Sequence, residues 1–292
     1  MNSRAQIRRL PDGRRLHLHD GPIDVILEAF GEPGEVERAY RASAKRFTSI
    51  LGELCSELTF LRDPAHLDSK LPSGPVARRM LNAVLPFCHE TFITPMAAVA
   101  GAVAEELLDE MTSAAILTKA YVNDGGDIAF HLAPGERFVI GMVELPHKPS
   151  MFATTTINAD NPTRGIATSG WRGRSFSLGI ADSTTVLASH AALADAAATL
   201  IANAVDLPGH PAIYRVPACD LASDSDLGSR LVTQGVGRLR RSEIHQALNS
   251  GIAAAASFQR LGLIHSAALT LQGVIQVGEP HATLPVAEFC SR

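Results

Sequence analysis

Apolar and polar positions along the chain change period several times, and each change marks a new element. Residues 5–19 alternate about Pro11-Asp12-Gly13, which predicts two short strands joined by a turn. Over residues 34–62 the apolar positions recur three and four apart, predicting a long amphipathic helix with Gly52 as the candidate break. A loop rich in Pro, Asp and Ser fills residues 63–75, and a short helix is predicted at 76–85. Phe92 to Leu108 predicts a further helix, with the Thr94 hydroxyl as N-cap and Pro95 in the first helical position. Ile116 to Leu132 reads as a hairpin turning at Asn123-Asp124-Gly125-Gly126-Asp127. Two strands follow within 136–157, separated by Pro146-His147-Lys148-Pro149, and residues 165–188 alternate strand-like runs with Gly-rich turns. Ala191 to Val205 is predicted as a helix, as is 242–259, opened by Ser242. Strand-like runs occupy 261–277, and the last fifteen residues read as a tail. No internal repeat is evident, and the fold class expected is α+β, with mixed β-sheets packed against helices.

The helix at 191–205 organises the reading of function. It is nearly all small and apolar, interrupted by Asp195, Thr199 and Asn203, each four residues after the last and so on one face. An ionised carboxylate inside an apolar run needs a partner. Two readings satisfy that need: a polar network that fixes the packing of an Ala-rich helix, or oxygen ligands for a hard divalent ion such as Mg2+. Small residues at Ala97, Ala98, Gly101 and Ala102 let another backbone or a flat ligand approach the earlier helix. The glycines of the 123–127 turn allow close approach as well, with Asp127 beside them. Thr168, Ser169 and Gly170 can offer hydroxyls and amides to a phosphate, with Arg172 and Arg174 nearby.

Composition narrows the partners. The 292 residues are 46% hydrophobic and 19% charged, enough for a sizeable core. A net charge of -4 and only 5% aromatics give no footing for nucleic acid or an acidic membrane surface. No apolar run suits a membrane span or a signal peptide, so a cytoplasmic location is expected. Cys55, Cys88, Cys219 and Cys290 lack paired spacing and are expected as free thiols, mostly buried, with Cys88 and Cys290 nearer the surface. His17 and His19 share a strand face, but no carboxylate or third His follows at useful spacing, so a solvated edge is expected. The acidic residues Asp220, Asp224 and Asp226 lack the terminal Glu of a Ca2+ loop.

Four stretches together resemble the ApbE superfamily, flavin transferases that attach FMN from FAD to a protein threonine. They are TPMAAVAGAVAE from Thr94, VNDGGDIA from Val122, GIATSGWRGRSFSLGIAD from Gly165 and ADAAATLIANAV from Ala194. They occur in the family's order over roughly residues 90–210, and LVTQGVGRL at 231–239 resembles an uncharacterised branch. The resemblance implies a T-fold-like architecture in one domain over 1–292, built as one body or as two intimately joined subdomains. It implies that Asp195 and Thr199 hold Mg2+ with help from a backbone carbonyl near Ala98. It further implies that Asn123, Gly125, Gly126 and Asp127 border a flavin pocket, with Thr168, Ser169 and Gly170 lining the cofactor. Two departures stand out: the transferases carry a Lys where this chain has Gly101, and a His-rich, Asp-Pro-containing strand where it has SFSLGIADSTT.

The function expected from these features is Mg2+-dependent cleavage of the FAD pyrophosphate, transferring FMN to an acceptor protein or releasing FMN and AMP. The sequence names no general base; Asp182 is a candidate only by its place on the strand, and a turn residue is an equal alternative. The rival readings are a flavin-binding module without turnover and an enzyme for another phosphorylated or pterin-like metabolite. The small-residue helices are compatible with a homodimer.

Overall fold

The structure is a computed structural model, and it describes residues 5–89, 91–143, 151–278 and 290–291. In chain order the elements begin with β1 (Gln6–Arg9), β2 (Leu16–Asp20), β3 (Ile23–Phe30), α1 (Pro33–Ser56), α2 (Leu58–Arg62) and α3 (Pro75–Val84). Next come α4 (Val99–Ala114), β4 (Lys119–Asp124), β5 (Asp127–Leu132), β6 (Arg137–Val143), β7 (Met151–Asn158), β8 (Gly165–Ser169) and β9 (Ser183–Ala188). The remainder are α5 (Ala191–Ala204), β10 (Ile213–Pro217), α6 (Ala218–Leu221), β11 (Leu231–Val236), α7 (Arg241–Arg260), β12 (Ser266–Leu271), β13 (Val274–Val277) and β14 (Cys290–Ser291). Two compact units result: residues 1–137, 158–167 and 189–195 form the first, and 138–157, 168–188 and 196–292 the second.

In the first unit β1 to β5 form an antiparallel meander, extended by β8 through Ile128↔Ile166 and Ala129↔Gly165. Alternation assigns the faces. Leu16 and Leu18 of β2, Val25 and Leu27 of β3, and Ala120 and Val122 of β4 are buried on one side. Helices α1, α3 and α4 pack together, α1 and α4 also against strands of this sheet, and contribute Phe47, Ile50, Met80, Leu81, Leu107 and Met111 to the core. Each such side chain contributes about 1.5–3 kcal/mol by leaving water. The predicted long helix does break, but at Glu57 instead of Gly52. Gly52 stays helical, while the Glu57 carboxylate accepts the Ser73 and Gly74 amides at 2.6 and 2.9 Å, holding the entry to α3. Pro95 opens a 3-10 turn, and α4 starts only at Val99, four residues after the predicted helix start; Thr94 makes no side-chain cap, and its backbone carbonyl accepts the Ala97 amide.

The second unit holds the antiparallel set β9-β12-β13, the pair β10-β11, and β6, β7 and β14. Strands β9 and β12 are buried along their whole length. The separator at 146–149 lies outside the described residues. Cys290 and Ser291, expected in a tail, pair with Thr154 and Ala153. Helix α7 starts one residue earlier than predicted, with Glu243 accepting the Arg240 amide at 2.7 Å, so Ser242 does not open it. The cysteine expectation needs correcting: Cys55 and Cys219 are exposed and Cys88 half-buried, all three free thiols. Cys55 fails because it falls off the α1 face that carries Tyr40, Phe47, Ile50 and Leu54 into the core. Among the described residues no helix is long and apolar enough to cross a membrane.

Candidate functional site

The first turn of α5 is fixed by two glycines of the first unit. A Cβ on Gly101 of α4 would stand 2.7 Å from the Ala192 Cα and closer still to the Ala191 carbonyl group. On Gly165 of β8 it would overlap the backbone of His190 and Ala191 inside any real contact distance. Only glycine at both positions lets the backbone at 190–192 lie between α4 and β8. Glu105 completes the clamp by accepting the Ala192 amide at 2.9 Å. The small face seen in the sequence of α4 therefore receives a backbone.

This clamp sets Asp195 against the start of α4. Its Oδ2 accepts the Gly101 amide at 3.1 Å, and the Ala100 amide also donates to the carboxyl. Both amides belong to the first helical turn, whose N–H groups lack intrahelical partners and favour an anion. Two larger effects oppose them. Although the residue is partly accessible, protein atoms surround its carboxyl, and this burial pushes the pKa well above the usual 3.8. Asp127 and then Asp124 push it further, by placing like charge nearby. Those two aspartates face each other across the Gly125-Gly126 turn, in which both glycines have positive φ and Asn123 Oδ1 accepts the Gly126 amide at 2.8 Å. Asp124 is buried and accepts the Asp24 amide at 3.3 Å.

The other residues predicted for the site divide sharply. Ala98 is fully buried, two residues before the amide at position 100, so its carbonyl belongs to the same turn that meets Asp195. Thr199 lies one turn along α5 from Asp195, half-buried, and its hydroxyl has no hydrogen bond among the described residues. Asn203 is committed elsewhere: its Oδ1 accepts the Leu178 amide at 2.9 Å and the Ser177 hydroxyl at 3.2 Å. The packing-network reading thus holds for the third member of the line. In the second unit the Thr168 hydroxyl lies 2.9 Å from that of Thr185, and Ser169 is half-buried. Gly170 is needed because a Cβ there would meet the Asp182 carbonyl oxygen at 2.5 Å.

Asp182 is buried and its carboxylate is fully engaged. It accepts Trp171 Nε1 at 3.1 Å, Arg172 Nε at 2.6 Å and the Gln272 amide at 2.5 Å. Gln272 has φ of 45°, the only positive φ outside glycine among the described residues, and it turns β12 into β13. The turn alternative therefore accounts for this side chain: Asp182 pins a left-handed residue that has a β-carbon. Asp182→Ala strands those donors, and we expect it to cost about 3 kcal/mol, read as a lower urea midpoint. Ser183 follows where a Pro would resemble the transferases; its amide donates to Thr270 Oγ1 at 3.1 Å, a bond that proline lacks.

One expectation about His17 and His19 is overturned. A carboxylate does reach them, from the next strand: Asp24 Oδ1 lies 2.5 Å from His17 Nε2 and 3.7 Å from His19 Nδ1. Strand pairing of His19 with Asp24 produces this, which spacing along one segment does not reveal. Arg8 donates to His17 Nδ1, so both ring nitrogens of His17 are occupied within the protein. Among the described residues no group of three or more His, Cys, Asp or Glu side chains is disposed to hold a metal ion.

Comparison with known proteins bears on this arrangement. The family model described as AbpE bacteria matches residues 7–277. A UPF0280 protein of Methanothermobacter thermautotrophicus is 33% identical over 165 residues, covering 54% of this chain and 62% of that one. Another, from Methanothrix thermoacetophila, is 37% identical over 135 residues, covering 45% and 52%. The chain thus spans less than two thirds of the length of either relative. Among solved structures, the ApbE protein of Thermotoga maritima superposes with a TM-score of 0.52 at 13% identity, over 94% of this chain and 97% of that one. That likeness carries the fold: α+β, with antiparallel sheets and helices. By the extent of the family match, the chain belongs to the AbpE bacteria family.

Proposed function

We propose that this protein binds a flavin dinucleotide with Mg2+ and cleaves its pyrophosphate, transferring FMN to an acceptor or releasing FMN with AMP. The observation that carries the reading is the state of Asp195: a desolvated carboxyl, anchored on two α4 amides and crowded by Asp127 and Asp124. A divalent cation offsets that crowding, and the available donors are hard oxygens suited to Mg2+. Asp195, the Thr199 hydroxyl and the Ala98 carbonyl would hold it. Three protein oxygens leave room for substrate phosphates. When bound, the ion supplies charge neutralisation at the pyrophosphate. The turn at Asn123, Gly125, Gly126 and Asp127 borders the flavin in this reading, and Thr168, Ser169 and Gly170 meet phosphate or ring edges.

A second reading, flavin held without turnover, has its own support. The clamp at Gly101 excludes a lysine side chain, and Asp182 is occupied by its three donors. The two readings separate on incubating the protein with FAD, with and without Mg2+, and following AMP and FMN. Cleavage predicts AMP only with Mg2+, abolished in Asp195→Ala and reduced in Thr199→Ala. FAD bound but unchanged establishes the binding module. Neither binding nor cleavage contradicts both.

A further inference from the structure

The first unit contains a cavity of about 310 Å³ where α4, β5 and the start of α5 meet. It is separate from the Asp195 carboxylate. Its floor includes His131, four residues along β5 from Asp127, which is about 13 Å of strand. The cavity has the size of a small-metabolite pocket.

Its polar groups sort by whether they are already engaged. The acids are: Glu105 accepts the Ala192 amide and pairs with Arg79, and Asp109 pairs with Arg79 at 2.5 Å. Arg79 is in turn satisfied by Glu105, Glu106 and Asp109. The remaining cations and donors are different. Arg164 has no carboxylate partner among the described residues; its Nη1 donates to the Asn161 and Thr163 carbonyls, and its Nη2 to that of Ala159 at 2.7 Å. Three of its five N–H groups are used, leaving Nε–H and one Nη2 hydrogen. Burial alone shifts its pKa downward, the mark of a guanidinium that lacks a compensating charge. His131 and His190 also line the cavity, and neither ring has a hydrogen bond or ion pair among the described residues. Every uncommitted group just named can donate, and none is an anion.

We propose that this cavity is a second site, which binds the oxyanion group, carboxylate or phosphate, of a small metabolite through Arg164, His131 and His190. It does not depend on the flavin reading. Planar guanidinium donors suit either oxyanion, and the imidazoles add donors from the strand and from the residue before α5. The committed acids border the site without competing for Arg164.

The test is calorimetric titration of the full chain, in buffer containing EDTA, with inorganic phosphate and separately with succinate. Saturable binding of one or both is expected, weakened about tenfold by His131→Ala and by Arg164→Lys and unchanged by Asp195→Ala. A preference for phosphate assigns a phosphorylated metabolite, and a preference for succinate a carboxylate. Because Arg164 also holds the turn at 159–163, the double change His131→Ala/His190→Ala provides a variant that leaves those carbonyl bonds intact. Absence of saturable binding for both probes up to about 20 mM overturns the proposal. Binding insensitive to the histidine changes, or lost in Asp195→Ala, also overturns it.

Discussion

Asp195→Asn is expected to make the metal-free protein more stable at neutral pH while abolishing its response to Mg2+. A carboxyl whose folded pKa lies above its unfolded value holds its proton more tightly in the folded state. The stability this contributes is fully present below the ordinary value of 3.8 and is lost as pH rises through the raised folded value. At higher pH the folded protein must carry a desolvated charge beside Asp127 and Asp124. Asparagine removes that charge yet keeps a carbonyl oxygen to accept the Gly101 and Ala100 amides. Thermal melts of both proteins in EDTA, across the pH range from about 4 to about 8, should show the parent losing stability with rising pH and the variant losing less. Added Mg2+ with FAD should recover stability only in the parent, and AMP formation in the variant should fall by more than about 100-fold. Equal melting profiles would mean that Asp195 carries no excess charge penalty.

The second large effect concerns the glycine clamp. Gly165→Ala is expected to cost about 3 kcal/mol or more, at the upper end for an overpacked site. The added Cβ overlaps backbone atoms of His190 and Ala191, which have no rotamer by which to yield. Gly101→Ala should cost comparably, because its nearest obstacles are the Ala191 carbonyl and the Ala192 Cα. Gly52→Ala is the control. No heavy atom lies within 4 Å of a Cβ built there, and alanine favours a helix by about 1 kcal/mol, so a small gain is expected. Urea midpoints of the three variants decide the matter. Tolerance at Gly165 would show that the start of α5 can move away from β8. The same contrast explains the missing lysine: at position 101 no side chain fits beside the α5 backbone.

Which features were legible in the sequence follows from how local their causes are. The hairpin at 119–132 was readable because two glycines at the turn dictate its chain reversal. The helix at 191–204 is readable from composition and length, and the spacing of its polar residues singles out Asp195 as a candidate. Spacing left the fates of those residues open. Asp195 and Asn203 share a face in sequence, but one meets α4 amides and the other caps the loop at 177–179. Each outcome is set by a partner at least 25 residues away. The helix break at Glu57 and the turn role of Asp182 were hidden for the same reason, since their partners lie at 73–74 and at 272. The sequence marks Gly101 as part of a permissive face, but only the fold identifies Ala191 as what it admits. Arg164 and His131 gave no signal at all, because nothing along the chain marks a guanidinium that will lack a carboxylate.

The most direct test of the central claim is a calorimetric titration of Mg2+ into the protein with AMP and FMN present, repeated at about pH 6 and about pH 8. If Asp195 anchors the ion, binding favours its ionised form over the protonated one that its burial favours. Affinity should then rise with pH and protons should be released, both beyond what the AMP and FMN phosphates alone contribute, and this excess should vanish in Asp195→Asn. Mg2+ affinity that is independent of pH and undiminished by that substitution would contradict the account.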